Sequence, residues 1–281
     1  MKYAYYPGCS LESTARAYDL SVRAVCRDLA VELEEIEDWN CCGASSGHCT
    51  NYRLSHALAG RNLALAEREG LDIAVACPAC FLRLKSTRHE VRADARLKKE
   101  LAELIDLPYE AKYDTKHLLD IICREVGMEE VRKRVEKPLT GLKLVPYYGC
   151  FLVRPPKVTQ FDDPENPQSM DILMDALGAE VVDWSGKVDC CGGSISITKR
   201  DIGAKLVSEI ADAARGVGAE AIVTACPLCQ SNLESRQGSQ ALPTFYFSEL
   251  IGLSFGMKEA NTWFRRHLVS PVALLASHGL L

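Results

Sequence analysis

Short apolar or β-branched runs bounded by turn residues recur along the chain, at Met1 to Tyr6, Ile73 to Ala76, Leu142 to Tyr148, Glu180 to Trp184 and Ala221 to Ala225. Such runs suit strands buried inside a sheet. Between them the period lengthens to that of a helix. Leu54, Leu58 and Leu65 fall on one face in the first half, and Leu206, Ile210, Ala213, Ala214 and Val217 do so in the second. Strand, helix and strand alternating through glycine-containing connections predict an α/β fold, with a small parallel sheet in each half covered by helices. Residues 85 to 140 are charged and helix-rich and end near Lys137-Pro138-Leu139-Thr140-Gly141, which marks the join. Two domains are expected, 1–137 and 138–281.

Size and charge agree with this division. A chain of 281 residues exceeds the usual single domain. With 47% hydrophobic and 25% charged residues it has the make-up of a globular protein. A formal charge of −5 offers no basic face for nucleic acid or anionic lipid. The N-terminus, MKYAYYPGCS, lacks the apolar run of a signal peptide. Val269 to Leu281 is apolar but only 13 residues long, short of the roughly 20 needed to cross a bilayer. That segment is expected to dock on a domain or on another chain of a complex. Thirteen cysteines without an export signal point to reduced thiols in the cytoplasm, where metal binding and redox chemistry are the alternatives to disulfides.

The cysteines reveal a duplication. Cys9, Cys41-Cys42 and Cys77-Pro-Ala-Cys80 in the first half correspond to Cys150, Cys190-Cys191 and Cys226-Pro-Leu-Cys229 in the second. In both halves 34 residues separate the adjacent pair from the CxxC, and the flanks repeat: YAYYPGC with VPYYGC, WNCCG with VDCCGG, IAVACPAC with IVTACPLC. Cys9 to Cys150 is a shift of 141 whereas the other four pairs shift by 149. The turn-rich stretch Gln160 to Gln168 is the natural site of the extra residues. Most of the repeated cysteines then fall just past the carboxyl ends of strands, the edge where open α/β sheets place ligands.

Three readings compete for each set of five thiols. Zinc takes four ligands and leaves one cysteine over. A cubane 4Fe-4S cluster also takes four. A larger iron–sulfur assembly uses all five, because adjacent cysteines can reach different irons. Pro78 and Pro227 suit the first turn of a helix whose amides would aim at the sulfurs. Glycines at 8, 43, 149, 192 and 193 let the backbone approach a bulky group, although each also suits a tight turn. Cys26 and Cys123 read as buried structural thiols. Cys49 lies close to the first pair, and His48 reads as a solvated histidine. Lys199 and Arg200 read as the exposed start of a helix. No Walker loop, no GxGxxG after a strand and no Ser-His-Asp arrangement is present.

With those residues in view, the pattern resembles the CCG domain: Cys, about thirty to forty residues, Cys-Cys-Gly, about thirty-five residues, then CxxC. With two such modules and the run YYGCFLVRPPKVTQFDDPENPQSMDILMDALGAEVVDW before Cys190, the whole chain is similar to the B-subunit family of heterodisulfide reductases. The resemblance implies two tandem CCG domains related by a pseudo-twofold axis, each holding a noncubane 4Fe-4S cluster, the two facing one another across the module interface. One cluster would sit on Cys9, Cys41, Cys42, Cys77 and Cys80. The other would sit on Cys150, Cys190, Cys191, Cys226 and Cys229. It further implies a cytoplasmic disulfide oxidoreductase with no catalytic residue beyond the ligands. Its substrate would be a small-molecule disulfide or thiol; in methanogens this is the mixed disulfide of coenzyme M and coenzyme B. An iron–sulfur protein similar to the family's C subunit would deliver electrons, with a flavin-bearing protein similar to its A subunit beyond it. The alternatives are an electron-transfer CCG subunit of a membrane-associated or lactate/glycolate-type dehydrogenase or sulfur-oxidising complex, and a zinc-stabilised scaffold.

Overall fold

The computed structural model describes residues 1–44 and 47–281. Its first sheet contains β1 (Lys2–Tyr6), β2 (Glu32–Glu35), β3 (Ile73–Val75) and β4 (Thr115–His117), in the order β2-β1-β3-β4. The second contains β5 (Lys143–Tyr147), β6 (Glu180–Val181), β7 (Ala221–Thr224) and β8 (Thr244–Tyr246), in the order β6-β5-β7-β8. Every pairing is parallel, with Ala4 opposite Ile73 in one sheet and Leu144 opposite Ala221 in the other. The duplication is therefore structural, and the fold is α/β as expected.

The central strands β1, β3, β5 and β7 are buried apart from Lys2 and Lys143, which is why they read as unbroken apolar runs. The edges do not read that way. β2 is Glu-Leu-Glu-Glu and mostly exposed, so no burial pattern marks it. β4 and β8 are three residues each, shorter than any period can reveal. The expected run to Trp184 stops at Val181, and Trp184 instead turns its indole N–H to the Pro146 carbonyl at 2.8 Å.

Two helix faces also need correction. The first helix, Tyr52–Glu69, buries Ala59, Leu63, Ala64, Leu65 and Ala66, while Leu54 is exposed and Leu58 half-buried. The second, Arg200–Gly216, buries Gly203, Val207, Ile210, Ala211 and Ala214. Leu206 and Ala213 flank that stripe, and Val217 lies past the helix end in solvent. Small residues carry these faces because the helices lie close to a neighbouring layer; a β-carbon on Gly203 would stand 3.2 Å from the Ser196 backbone.

The halves interlock. Helix Arg16–Asp28 packs on helix Phe247–Ser254, with the Ser21 and Ser248 hydroxyls 2.7 Å apart. Tyr18 stacks on Tyr246 with ring centroids 4.1 Å apart. Helix Pro78–Ala93 packs on the turn of helix Pro156–Thr159. The apolar C-terminal segment docks on the chain itself: Pro271, Leu275 and Leu280 are buried, and the Lys137 ammonium donates to the Leu280 carbonyl at 2.8 Å. Among the described residues, no helix is long and apolar enough to cross a membrane.

Candidate functional site

Each sheet reverses its strand order once. From β1 the chain passes to β2 on one side and then to β3 on the other, so a crevice opens beyond the carboxyl ends of β1 and β3. Cys9 follows β1 and Cys77 follows β3. The second sheet repeats this with Cys150 after β5 and Cys226 after β7. The topology itself delivers the thiols to one place.

Within each set the remaining cysteines close in. The Cys9 and Cys41 sulfurs are 3.9 Å apart and those of Cys42 and Cys80 are 3.4 Å apart. In the second half the Cys191 and Cys229 sulfurs are 3.6 Å apart. A disulfide bond is about 2.05 Å long, so these are non-bonded contacts, and all thirteen cysteines are free. Cys42, Cys77, Cys80, Cys191, Cys226 and Cys229 are buried, whereas Cys9, Cys41 and Cys190 reach solvent. Among the described residues no three His, Cys, Asp or Glu side chains converge on a point suited to a single metal ion.

The donor set and its surroundings fit an iron–sulfur group. Gly8 and Gly149 adopt φ +70° and +66°, and a β-carbon on either would stand 3.0 Å from the Cys80 sulfur or 3.2 Å from the Cys229 sulfur. Pro78 and Pro227 occupy the first turn of their helices, with Cys77 and Cys226 as the capping residues. The Cys229 amide N–H donates to the Cys226 sulfur at 3.4 Å, and the Gly192 N–H does the same for Cys190.

These contacts sort the thiols. Hydrogen bonding with the Cys42 thiol, then with that of Cys9, holds Cys41 well below the usual thiol range. The Cys80 S–H and the amides of Cys80 and Ala79 lower Cys77. Cys190 falls to about 6 through its hydrogen bond with the Cys150 thiol and the Gly192 amide, and Cys191 falls through its hydrogen bond with the Cys229 thiol. Cys80 and Cys229 are pushed up by their hydrogen bonds with the neighbouring thiols and by burial. Each site thus combines thiolate-prone sulfurs with backbone donors, the chemistry a thiolate-ligated cluster needs.

Several supporting residues carry no mark of their role in the sequence. The Tyr6 hydroxyl donates to the carbonyl of Asn40 at 2.8 Å, just before Cys41. Tyr147 repeats this on Asp189 at 2.7 Å, just before Cys190. Asn62 bonds both the N–H and the carbonyl of Asn40, and Asn232 donates to the Cys191 carbonyl at 2.5 Å. The repeated Tyr-Tyr before each first cysteine points to the two tyrosines alone, and nothing in the sequence singles out Asn62 or Asn232. A cavity beside the second set is lined by Cys150, Cys190, Cys191, Cys226, Cys229 and, from the other half, Pro78.

The residues outside the register remain apart from these contacts. Cys26 is buried in the core, and half-buried Cys123 donates to the Ser169 carbonyl at 3.4 Å. Cys49 is exposed with its sulfur 3.4 Å from His48 Nε2, both on the short helix Gly47–Thr50. Lys199 and Arg200 are exposed at the start of helix Arg200–Gly216.

Comparison with known proteins gives the same pattern twice. The family described as CCG, cysteine-rich domain, matches residues 3–85 and 145–234. The 8-methylmenaquinol:fumarate reductase membrane anchor subunit of Wolinella succinogenes is 31% identical, over 97% of this chain and 99% of that one. The B subunit of the ferredoxin/F(420)H(2)-dependent CoB-CoM heterodisulfide reductase of Methanosarcina acetivorans is 25% identical, over 98% and 96%. A protein of Archaeoglobus profundus described as similar to the heterodisulfide reductase B subunit is 27% identical, over 91% of each. Among solved structures, a hypothetical protein from Helicobacter pylori shares the fold with a TM-score of 0.72 at 10% identity. It aligns with 93% of this chain, which spans 50% of that structure.

Proposed function

The chain belongs to the CCG cysteine-rich domain family, whose domain it carries twice, and on that premise we propose that it is the catalytic subunit of a heterodisulfide-reductase-type complex. The supporting observation is the pair of complete five-cysteine sets, each gathered at a crevice between central strands, with Pro78 of one half walling the cavity of the other. Cys9, Cys41, Cys42, Cys77 and Cys80 would hold one noncubane 4Fe-4S cluster. Cys150, Cys190, Cys191, Cys226 and Cys229 would hold the second. Five thiols per set, none of them gathered three to a point, suit a multi-iron group better than one zinc ion. The domain boundary is placed at 137/138, between the two sheets.

The reaction proposed is RSSR + 2e⁻ + 2H⁺ → 2RSH. Bound clusters would supply its electrons one at a time. The chain's own part is to place and shield. The glycines leave room beside Cys80 and Cys229, backbone amides at the two helix starts face Cys77 and Cys226, and Pro78, Phe151 and Leu228 wall the second set with apolar surface. The substrate is a small-molecule disulfide, CoM-S-S-CoB or a related compound, placed where the halves meet. Electrons would come from a separate iron–sulfur protein of the C-subunit type, itself supplied by a flavin-bearing protein.

The 31% identity to a fumarate reductase component favours one other reading, an electron-transfer role in a dehydrogenase-type complex. Disulfide reduction with an artificial donor separates the two. Cys42→Ala and Cys191→Ala should each abolish it under the proposed function, and undiminished turnover in either rejects it.

A further inference from the structure

The backbone just before each CxxC helix carries a buried carbonyl, that of Ala76 in the first half and of Ala225 in the second. Each lies one residue past its strand, since β3 stops at Val75 and β7 at Thr224. Both point to one hydroxyl. Tyr18 Oη lies 3.1 Å from the Ala76 oxygen and 3.0 Å from the Ala225 oxygen. A phenol carries one hydrogen, so this O–H is shared between the two carbonyls. The ring is held in place, because it lies against Tyr246 at 4.1 Å with an interplanar angle of 1° and meets Phe247 edge-on.

A second donor completes the junction. His117 Nδ1 accepts the Leu119 N–H at 3.2 Å, which leaves the proton on Nε2, and Nε2–H donates to the Ala76 carbonyl at 2.8 Å. Tyr18, His117, Ala76 and Ala225 are all fully buried. Both donors come from the first half. The second half's CxxC segment therefore depends on the first half for the partner of its carbonyl, and a buried carbonyl without one is costly.

We propose that Tyr18 and His117 are positioning residues that tie the two CxxC segments into one unit, so that a displacement at either thiol set is transmitted to the other. The path is short: each carbonyl belongs to the residue directly before Cys77 or Cys226. The inference rests on the proposed function only for what the thiol sets hold; the junction itself is a property of the chain.

The test is Tyr18→Phe in the full-length, metal-free, reduced protein, followed by amide hydrogen exchange. The ring and its stacking remain and only the hydroxyl is lost. Exchange at 77–82 and at 226–231 should rise together, by about two- to tenfold for one lost hydrogen bond, while peptides covering β2 and β6 stay unchanged. A rise at one segment alone, a uniform rise along the chain, or no rise overturns the proposal. Should this variant fail to fold, His117→Gln serves the same comparison with the same outcomes. In protein loaded with iron and sulfide, Tyr18→Phe should shift the reduction potentials of both centres, and a shift confined to one contradicts the junction. Failure to load iron and sulfide at all would reject the proposed function and leave the exchange result standing.

Discussion

Gly8 approaches Cys80 so closely that a β-carbon on the glycine would stand 3.0 Å from the sulfur, and Gly149 holds the same relation to Cys229 at 3.2 Å. Both glycines also adopt a left-handed backbone, which costs an L-residue about 1–2 kcal/mol. Gly8→Ala and Gly149→Ala should each halve the iron bound per chain after anaerobic reconstitution while leaving far-ultraviolet circular dichroism intact. Full iron content in both would show that the close approach serves the turn alone.

Tyr6 and Tyr147 hold the backbone before their adjacent cysteine pairs through the carbonyls of Asn40 and Asp189. Without Tyr147 the Asp189 carbonyl loses its side-chain donor, a loss of about 1–3 kcal/mol, whereas the Asn40 carbonyl keeps the Asn62 amide at 2.8 Å and loses about 0.5–1.5 kcal/mol. Tyr6→Phe and Tyr147→Phe should lower the unfolding free energy measured in urea by amounts of these orders, the second by more, and the double variant should show the sum because the sites are separate. A change within error for both would refute this role.

What the sequence reveals depends on what makes a pattern visible. The central strands are readable because burial on both faces forces apolar residues at consecutive positions, as in Ile73 to Val75. β2 is not, since an exposed Glu-Leu-Glu-Glu edge is held by backbone pairing to β1 and leaves no side-chain signature. The thiol sets are readable because their spacing repeats. Tyr18 is hidden because it sits within a long helix and acts across to Ala225, 207 positions away. Leu54 misleads because a leucine at helical spacing reads as core, while the helix buries alanines and Leu63 instead.

His267 is clamped between two buried carboxylates, 2.8 Å from Glu234 and 3.0 Å from Glu249. Burial alone would lower its pKa, but the Glu249 charge and hydrogen bonds to both carboxylates outweigh this and hold it at about 10. The folded protein therefore keeps a proton that the unfolded chain loses near its ordinary value of about 6.5. This contribution is complete below about pH 6.5 and fades as pH rises towards 10, by at most about 1.4 kcal/mol per unit. Urea unfolding at about pH 7 and about pH 9.5 should show a lower midpoint at the higher pH, and His267→Gln should reduce that dependence. An equal pH dependence in the variant contradicts the clamp.

Lys187 is buried 2.8 Å from Asp171, whose other oxygen accepts the Tyr148 hydroxyl at 2.7 Å. The Lys187 carbonyl in turn accepts the N–H groups of Tyr148 and Gly149, just before Cys150. Lys187→Ala should destabilise the chain by about 3–5 kcal/mol, because Asp171 is left buried without its cation. Lys187→Ala with Asp171→Asn should recover part of the loss in a double-mutant cycle. Additive losses would show that the pair is not coupled.

The central claim is that each half holds its own multi-iron centre on its own five cysteines. Iron and acid-labile sulfide per chain test it most directly, measured after anaerobic purification in the wild type, in Cys42→Ala and in Cys191→Ala. Two four-iron clusters give about eight iron and about eight sulfide in the wild type and about half of each in either variant. About two zinc atoms with no sulfide, or a loss of all iron from only one of the two variants, would contradict the account.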